Sequence, residues 1–99
     1  MTGDADLDPL LHQPVRGRIM AYLYRNRQAR FALLRDALDV TPGNLQGHLA
    51  KLESAGYVTS SRVLLAMFET HYALTPQGAE AFRAYVARLR ALIEESGVD

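Results

Sequence analysis

Thr41-Pro42-Gly43-Asn44-Leu45-Gln46-Gly47-His48-Leu49-Ala50-Lys51-Leu52-Glu53-Ser54-Ala55-Gly56-Tyr57-Val58 is the stretch that decides the fold. Thr41 is a good N-cap, because its hydroxyl accepts from amides that a helix leaves without partners in its first turn. Pro42 suits the next position, where no amide hydrogen is needed. Gly56 stands where a helix ends by turning left-handed, and Tyr57-Val58 starts an extended segment. Leu45, Leu49 and Leu52 recur at spacings of four and three, which turns one narrow stripe toward a core. The opposite side offers Asn44, Gln46, Gly47, Ala50 and Lys51, all polar or small. A capped helix with such an outer side has the form expected of a helix that enters a DNA groove.

Upstream, Asp8-Pro9 reads as the cap and first residue of a short helix carrying Leu10 and Leu11, and Pro14 interrupts or restarts it. Val15, Ile19, Met20, Tyr22 and Leu23 predict a helix to about Asn26, with Arg16, Arg18, Arg25 and Arg27 largely off its apolar stripe. Gln28-Ala29-Arg30-Phe31 has no helical period and fits a brief strand. Phe31 to Leu38 is a short helix with Phe31, Leu34 and Leu38 inward and no capping side chain before it. Asp39-Val40 then connects tightly to the capped helix, which makes a helix-turn-helix.

Downstream, Tyr57 to Leu64 and Thr70 to Leu74 read as two strands, the second with Tyr72 and Leu74 on one face. The turn between them, Leu65-Ala66-Met67-Phe68-Glu69, contains no Gly, Pro or Asn. Thr75-Pro76 repeats the cap signal and opens a helix to about Glu95. Its apolar positions Ala79, Phe82, Val86, Leu89 and Ile93 step by three and four, the seam of a helix that pairs with another. Tyr85 and Leu92 widen that seam, so part of it packs within the chain and part between chains. At 1.5 Å per residue this helix is about 30 Å long. The expected class is mainly α with a small β hairpin: one domain over residues 1–99, a body at 8–75 and a long helix at 76–95.

A chain of 99 residues forms one domain and buries roughly 60–65% of its unfolded surface. It has no cysteine, which removes disulfides, thiolate metal sites and thiol redox switching. No apolar run approaches membrane-spanning length, and Asp4, Asp6 and Asp8 occupy a region where a signal peptide is basic, so a cytoplasmic protein with no membrane partner is expected. The net charge is zero but unevenly spread. Residues 12–62 carry eight Lys and Arg against three acids, while both flanks are acidic. Local field decides whether a face attracts phosphate; solvated surface arginines give the same count.

In its order of elements the chain resembles the winged helix-turn-helix regulators of the MarR/ArsR type, nearest the small stand-alone members. The resemblance runs from Pro14-Val15-Arg16 to Leu74-Thr75-Pro76-Gln77-Gly78. It rests on Thr41-Pro42-Gly43-Asn44-Leu45 with His48-Leu49, on Leu52-Glu53 with Ala55-Gly56-Tyr57-Val58, and on Tyr72-Ala73-Leu74-Thr75-Pro76-Gln77-Gly78. It implies a homodimer held by terminal helices, recognition helices in successive major grooves, and wings at the backbone or minor groove. Such regulators often carry Arg or Ser where Gly47 stands, a base where Ala50 stands, and Arg and Gly in the wing. Dimers of this kind have room for a small-molecule effector between the long helix and the core, and no polar constellation here identifies one.

The expected DNA contacts follow from position. Thr41, Pro42 and Gly43 form the helix N-terminus, which attracts phosphate. Gln46 can bond an adenine edge bidentately, and Asn44 either does the same or bonds within its own first turn. Gly47 either lets the helix backbone approach the duplex, the preferred reading, or is simply tolerated. Lys51, Arg62, Arg30 and Arg35 are candidates for phosphate, Arg62 foremost, while Arg16 and Arg18 are read as solvated or dimer-facing. His48, beside the leucine stripe, is read as half-buried packing. Leu10, Leu11, Ala79, Phe82, Val86, Leu89 and Ile93 are expected at the dimer interface. His12, His48 and His71 are too scattered for a metal site, and no phosphate-binding glycine loop or nucleophile setting marks a cofactor or an enzyme. Two functions compete: a dimeric regulator on a palindromic double-stranded operator, and a winged-helix module that binds protein through its apolar wing.

Overall fold

Proline starts three of the four helices found among the described residues. The structure, a computed structural model, describes residues 7–64 and 68–99. In order the elements are α1 (Pro14–Asn26), β1 (Gln28–Arg30), α2 (Phe31–Leu38), α3 (Pro42–Ser54), β2 (Val58–Leu64), β3 (Phe68–Leu74) and α4 (Pro76–Ser96). Each proline-led helix also has a side-chain cap. Gln13 Oε1 accepts from the Arg16 amide at 2.7 Å, Thr41 Oγ1 from the Asn44 amide at 3.2 Å, and Thr75 Oγ1 from the Gly78 amide at 2.9 Å. Such a cap contributes about 1 kcal/mol. Helix α2 begins after Arg30 without one, as its sequence implied. Pro14 therefore starts α1 under the Gln13 cap, the second of the two roles, interrupting or restarting a helix, expected of it.

Among the described residues no helix precedes α1. Residues 9–11 form a turn in which the Asp8 carbonyl accepts from the Leu11 and His12 amides and Asp8 Oδ1 accepts from the Leu10 amide. With prolines at both 9 and 14, too few residues lie between them to repay helix nucleation. Leu11, expected between protomers, is fully buried in the chain's own core, which corrects that placement.

The sheet is antiparallel throughout, in the order β1-β3-β2. Strand β3 runs two residues further back than expected. Its pairing with β2 continues to Val63↔Glu69 and Leu64↔Phe68, so Phe68 and Glu69 belong to the ladder and not to the turn. Of the apolar wing, residues 65–67 lie outside the described residues.

Helices α1, α2 and α3 converge on a core that includes Ile19, Met20, Leu23, Leu34, Leu45, Leu49 and Leu52. The three leucines of α3 are at most 1% exposed, and each such burial is worth roughly 1.5–3 kcal/mol. Val58 and Tyr72 close the core from the sheet, with Phe31, Phe82 and Tyr85 packed against it.

The end of α3 and the start of α4 meet backbone to backbone. Gly56 turns left-handed at φ 80°. The Thr75 hydroxyl donates to the Gly56 carbonyl at 2.6 Å, and the Thr75 amide donates to the Tyr57 carbonyl at 3.0 Å. A Cβ placed on Gly78 would stand 2.0 Å from the Tyr57 oxygen, so only glycine allows α4 to lie this close. Tyr57 itself reaches the N-terminal turn, its hydroxyl donating to Asp8 Oδ2 at 2.6 Å.

Two outcomes follow from these contacts. Gly78→Ala forces the two backbones apart at a cost of about 3 kcal/mol, which lowers Tm by roughly 12–24 °C in thermal unfolding. Thr75→Val, keeping the shape and losing the hydroxyl, costs about 1–3 kcal/mol in the same assay.

A third concerns Tyr57. Its bond to Asp8, then burial, then the Asp8 charge push its phenol up to about 12 from 10.0. Because the folded value is the higher, this stabilisation is complete below the unfolded value and is lost as pH rises from 10.0 toward 12. Ultraviolet titration of the five tyrosines shows one ionising last, near pH 12; Tyr57→Phe removes it and Asp8→Asn brings it down.

Candidate nucleic-acid interface

Turning Leu45, Leu49 and Leu52 into the core leaves the rest of α3 outside. Thr41, Pro42, Gly43, Asn44, Gln46, Gly47, Ala50 and Lys51 are all exposed. Among the described residues nothing covers the space over Gly43 and Gly47, where an added Cβ would meet no atom within 4 Å. Their own packing therefore gives no reason for glycine, although an interior helical glycine costs about 1 kcal/mol relative to alanine.

Beside the N-terminal half of α3 lies a cleft of about 450 Å³. Its walls include Gln46 from α3, Arg30 from the end of β1, Phe31 from the start of α2, and Arg62, Glu69, Thr70 and Tyr72 from the two longer strands. Three residues read separately from the sequence, Arg30, Gln46 and Arg62, thus share one concave surface. Lys51 sits away from it, in a shallow depression with Leu10, Ala50 and Ser54. Arg35 also stands apart and bonds Asp36 Oδ1 at 3.2 Å.

The wing strands are tied to α3 by a bond the sequence did not announce. Ser60 on β2 donates its hydroxyl hydrogen to Glu53 Oε2 at 2.7 Å, so a rotation of the hairpin against the helix breaks a charge-assisted hydrogen bond.

On the other side of α3, His48 is half-buried, as expected, and its partner is Arg16. The Arg16 Nη1 lies 3.1 Å from His48 Nδ1, while Arg16 Nε donates to the Leu10 carbonyl at 2.6 Å. A guanidinium only donates, so Nδ1 accepts and the ring proton sits on Nε2. Burial, then the charges of Arg16 and Lys51, hold the imidazole below its usual value of 6.5, which keeps it neutral at pH 7. Arg18 donates to the Leu38 carbonyl at 3.1 Å. Arg16, half-buried, thus ties the N-terminal turn to α3 in place of the solvated or dimer-facing role expected of it, while Arg18 stays exposed and adds a bond from α1 to the end of α2.

Helix α4 leaves the body as it proceeds. Ala81, Phe82 and Tyr85 pack on the core, Phe82 against Tyr24 and Tyr85 against His12 through a 2.9 Å hydrogen bond. Ala79, Val86 and Leu89 are half-buried, and Ile93 is 48% exposed. Leu10 is half-buried and also packs on the core. Phe82 and Val86 line grooves on both flanks of α4, one shared with His12 and Gly17, the other with Tyr24 and Arg90. No described helix is long and apolar enough to cross a membrane, and among the described residues no three His, Asp or Glu stand close enough to hold a metal ion.

This geometry has counterparts. The profile of the winged helix DNA-binding domain matches residues 15–93. The chain is 34% identical over 84 residues to uncharacterized protein MJ0432 of Methanocaldococcus jannaschii, covering 84% of this chain and 91% of that one. A transcriptional regulator homologue from Pyrococcus horikoshii OT3 superposes with a TM-score of 0.87 at 34% identity, over 90% of this chain and 89% of that one. S. aureus MepR, solved as a DNA complex, shares the fold at a TM-score of 0.77 and 17% identity, over 95% and 77% of the two chains. The capped helix, the hairpin and the long last helix therefore make one recurring unit, and the chain belongs to the winged helix DNA-binding domain family.

Proposed function

We propose that the chain is a homodimeric, sequence-specific, double-stranded DNA-binding regulator of transcription. Helix α3 enters the major groove, the β2-β3 wing approaches the backbone, and α4 pairs with its copy. The observation that carries this reading is the uncovered side of α3 next to a cleft holding Arg30, Gln46 and Arg62. Side chains near a recognition helix N-terminus are the ones that first reach base edges, which favours Gln46 and Asn44 for reading sequence. Thr41 and the amides of the first turn face a phosphate, with Arg62, Arg30 and Lys51 placed to hold the backbone. Arg35 contributes less, because Asp36 already offsets its charge.

For the dimer, the support is the run Phe82, Val86, Leu89 and Ile93 along α4, which leaves the core behind and ends exposed. A two-fold dimer reads a roughly palindromic operator with half-sites about 10 bp apart. Leu11 takes no part, being enclosed within each protomer.

Selection of duplexes from a random library, followed by fluorescence anisotropy, tests the reading. Enrichment of a palindrome is expected, with log affinity falling against log salt at a slope of about −5 for roughly six neutralised phosphates. Gln46→Ala costs about 1–3 kcal/mol on the selected duplex and little on random sequence. Arg62→Ala weakens binding on every sequence alike and flattens the slope by about one. No enrichment, or mutants indistinguishable from the parent, defeats the reading.

Gly47→Ala separates stability from recognition. The substitution meets open space in the protein, so it raises Tm by roughly 4–8 °C. It lowers affinity for the selected duplex, because the new methyl group stands where the helix backbone meets DNA. A variant more stable and equally tight removes close approach from the account of Gly47.

A further inference from the structure

Among the described residues lining the cleft beside α3, Glu69 is the single acid. Its two oxygens face two bases. Oε2 lies 3.5 Å from Arg30 Nη1, and Oε1 lies 3.5 Å from His71 Nε2. The sheet creates this arrangement: Arg30 on β1 is directly opposite His71 on β3, so Glu69, two residues before His71, is its diagonal neighbour. Both members of the Arg30–Glu69 pair reach water, with side chains 49% and 39% exposed. An ion pair this exposed is held weakly and exchanges its partner readily.

We propose that Glu69 is a positioning residue for DNA binding, which holds Arg30 in the cleft and makes a phosphate compete with a carboxylate for it. The inference rests on the DNA reading above. In the free protein Glu69 cancels the Arg30 charge where the wing meets α2. On the duplex, Arg30 passes from carboxylate to phosphate, and His71 remains beside the other Glu69 oxygen. Releasing Arg30 to a phosphate breaks its pair with Glu69, and that loss lowers affinity on every sequence. Because the loss is equal on every sequence, a duplex with base contacts keeps a useful affinity while random duplex, with few, is held only weakly. Glu69 therefore lowers affinity for random DNA and leaves discrimination to the contacts made by α3.

The test uses the full chain, a fluorescein-labelled random-sequence duplex and the palindrome enriched by selection. Anisotropy titrations across a range of salt compare the parent with Glu69→Gln, Glu69→Ala, Arg30→Gln and the Glu69→Gln/Arg30→Gln pair, each checked by circular dichroism for an unchanged fold. Both Glu69 variants are expected to bind random duplex about three- to tenfold tighter than the parent, the size of one charge removed at close range in screened water. Their salt dependence steepens by about one phosphate equivalent. In the Arg30→Gln background the gain shrinks to about twofold or less, since the carboxylate acts through Arg30. Affinity unchanged or weakened in both Glu69 variants, with the parent binding, overturns the role of Glu69 and leaves the DNA reading standing. A full gain in the Arg30→Gln background also overturns it, reducing Glu69 to general repulsion. A parent that retains neither duplex overturns the DNA reading, and this role falls with it.

Discussion

The contact on which the rest depends is the one between Gly56-Tyr57 and Thr75–Gly78. A single hydroxyl, Thr75 Oγ1, donates to the carbonyl that ends α3 and accepts from the amide that begins α4. The absence of a side chain on Gly78 then brings α4 against the Tyr57 carbonyl. Side chains between packed helices can change rotamer and absorb small displacements; two backbones in contact have no such slack. The angle between α3 and α4 is therefore set by covalent geometry and three hydrogen bonds. In the proposed dimer α3 meets DNA and α4 meets its copy, so this junction sets the separation of the two recognition helices.

Helix α3 divides its labour by face. Its leucines hold the protein together and supply several kcal/mol of burial, while its outer side makes no demand on the chain's own packing. Among the described residues no polar or charged residue is buried, so the polar groups of α3 were never candidates for the core. Cap, stripe and terminal glycine fix where the helix lies, and the exposed residues are then free to vary with the partner. The two glycines on that side lower helix propensity without any return inside the protein, which is the trade expected at a binding surface.

Most of the fold was legible because its signals are local. Threonine-proline pairs at 41–42 and 75–76 mark helix starts within a residue, since a cap and its amide lie three positions apart. The leucine spacing of α3 and the brief strand at Gln28–Arg30 were readable on the same ground. What escaped the sequence involves distant partners or register. Phe68 and Glu69 read as turn residues, because only the ladder with β2 shows that pairing continues past Thr70. The bonds of Arg16 and Arg18 were not readable, because their acceptors on His48, Leu10 and Leu38 come together only after folding. Leu11 was assigned to an interface since a leucine carries no mark of whether it meets its own chain or a second one. For the site, the residue types were visible, while the grouping of Arg30, Gln46 and Arg62 without Lys51 and Arg35 required the sheet.

Helix α4 carries the division between body and assembly along its length. Its first turns complete the core through Phe82 and Tyr85, and its later turns continue the apolar pattern past the point where the body can cover it. The molecule is accordingly elongated, 52 Å in one direction against 25 and 21 Å in the others. A small chain buries little of its surface alone, so apolar area held in reserve on α4 gains most by meeting its own copy. In the proposed dimer this makes folding, association and recognition parts of one equilibrium. Each protomer then gains stability with concentration, and duplex that binds the dimer draws the chain further toward the folded, paired state.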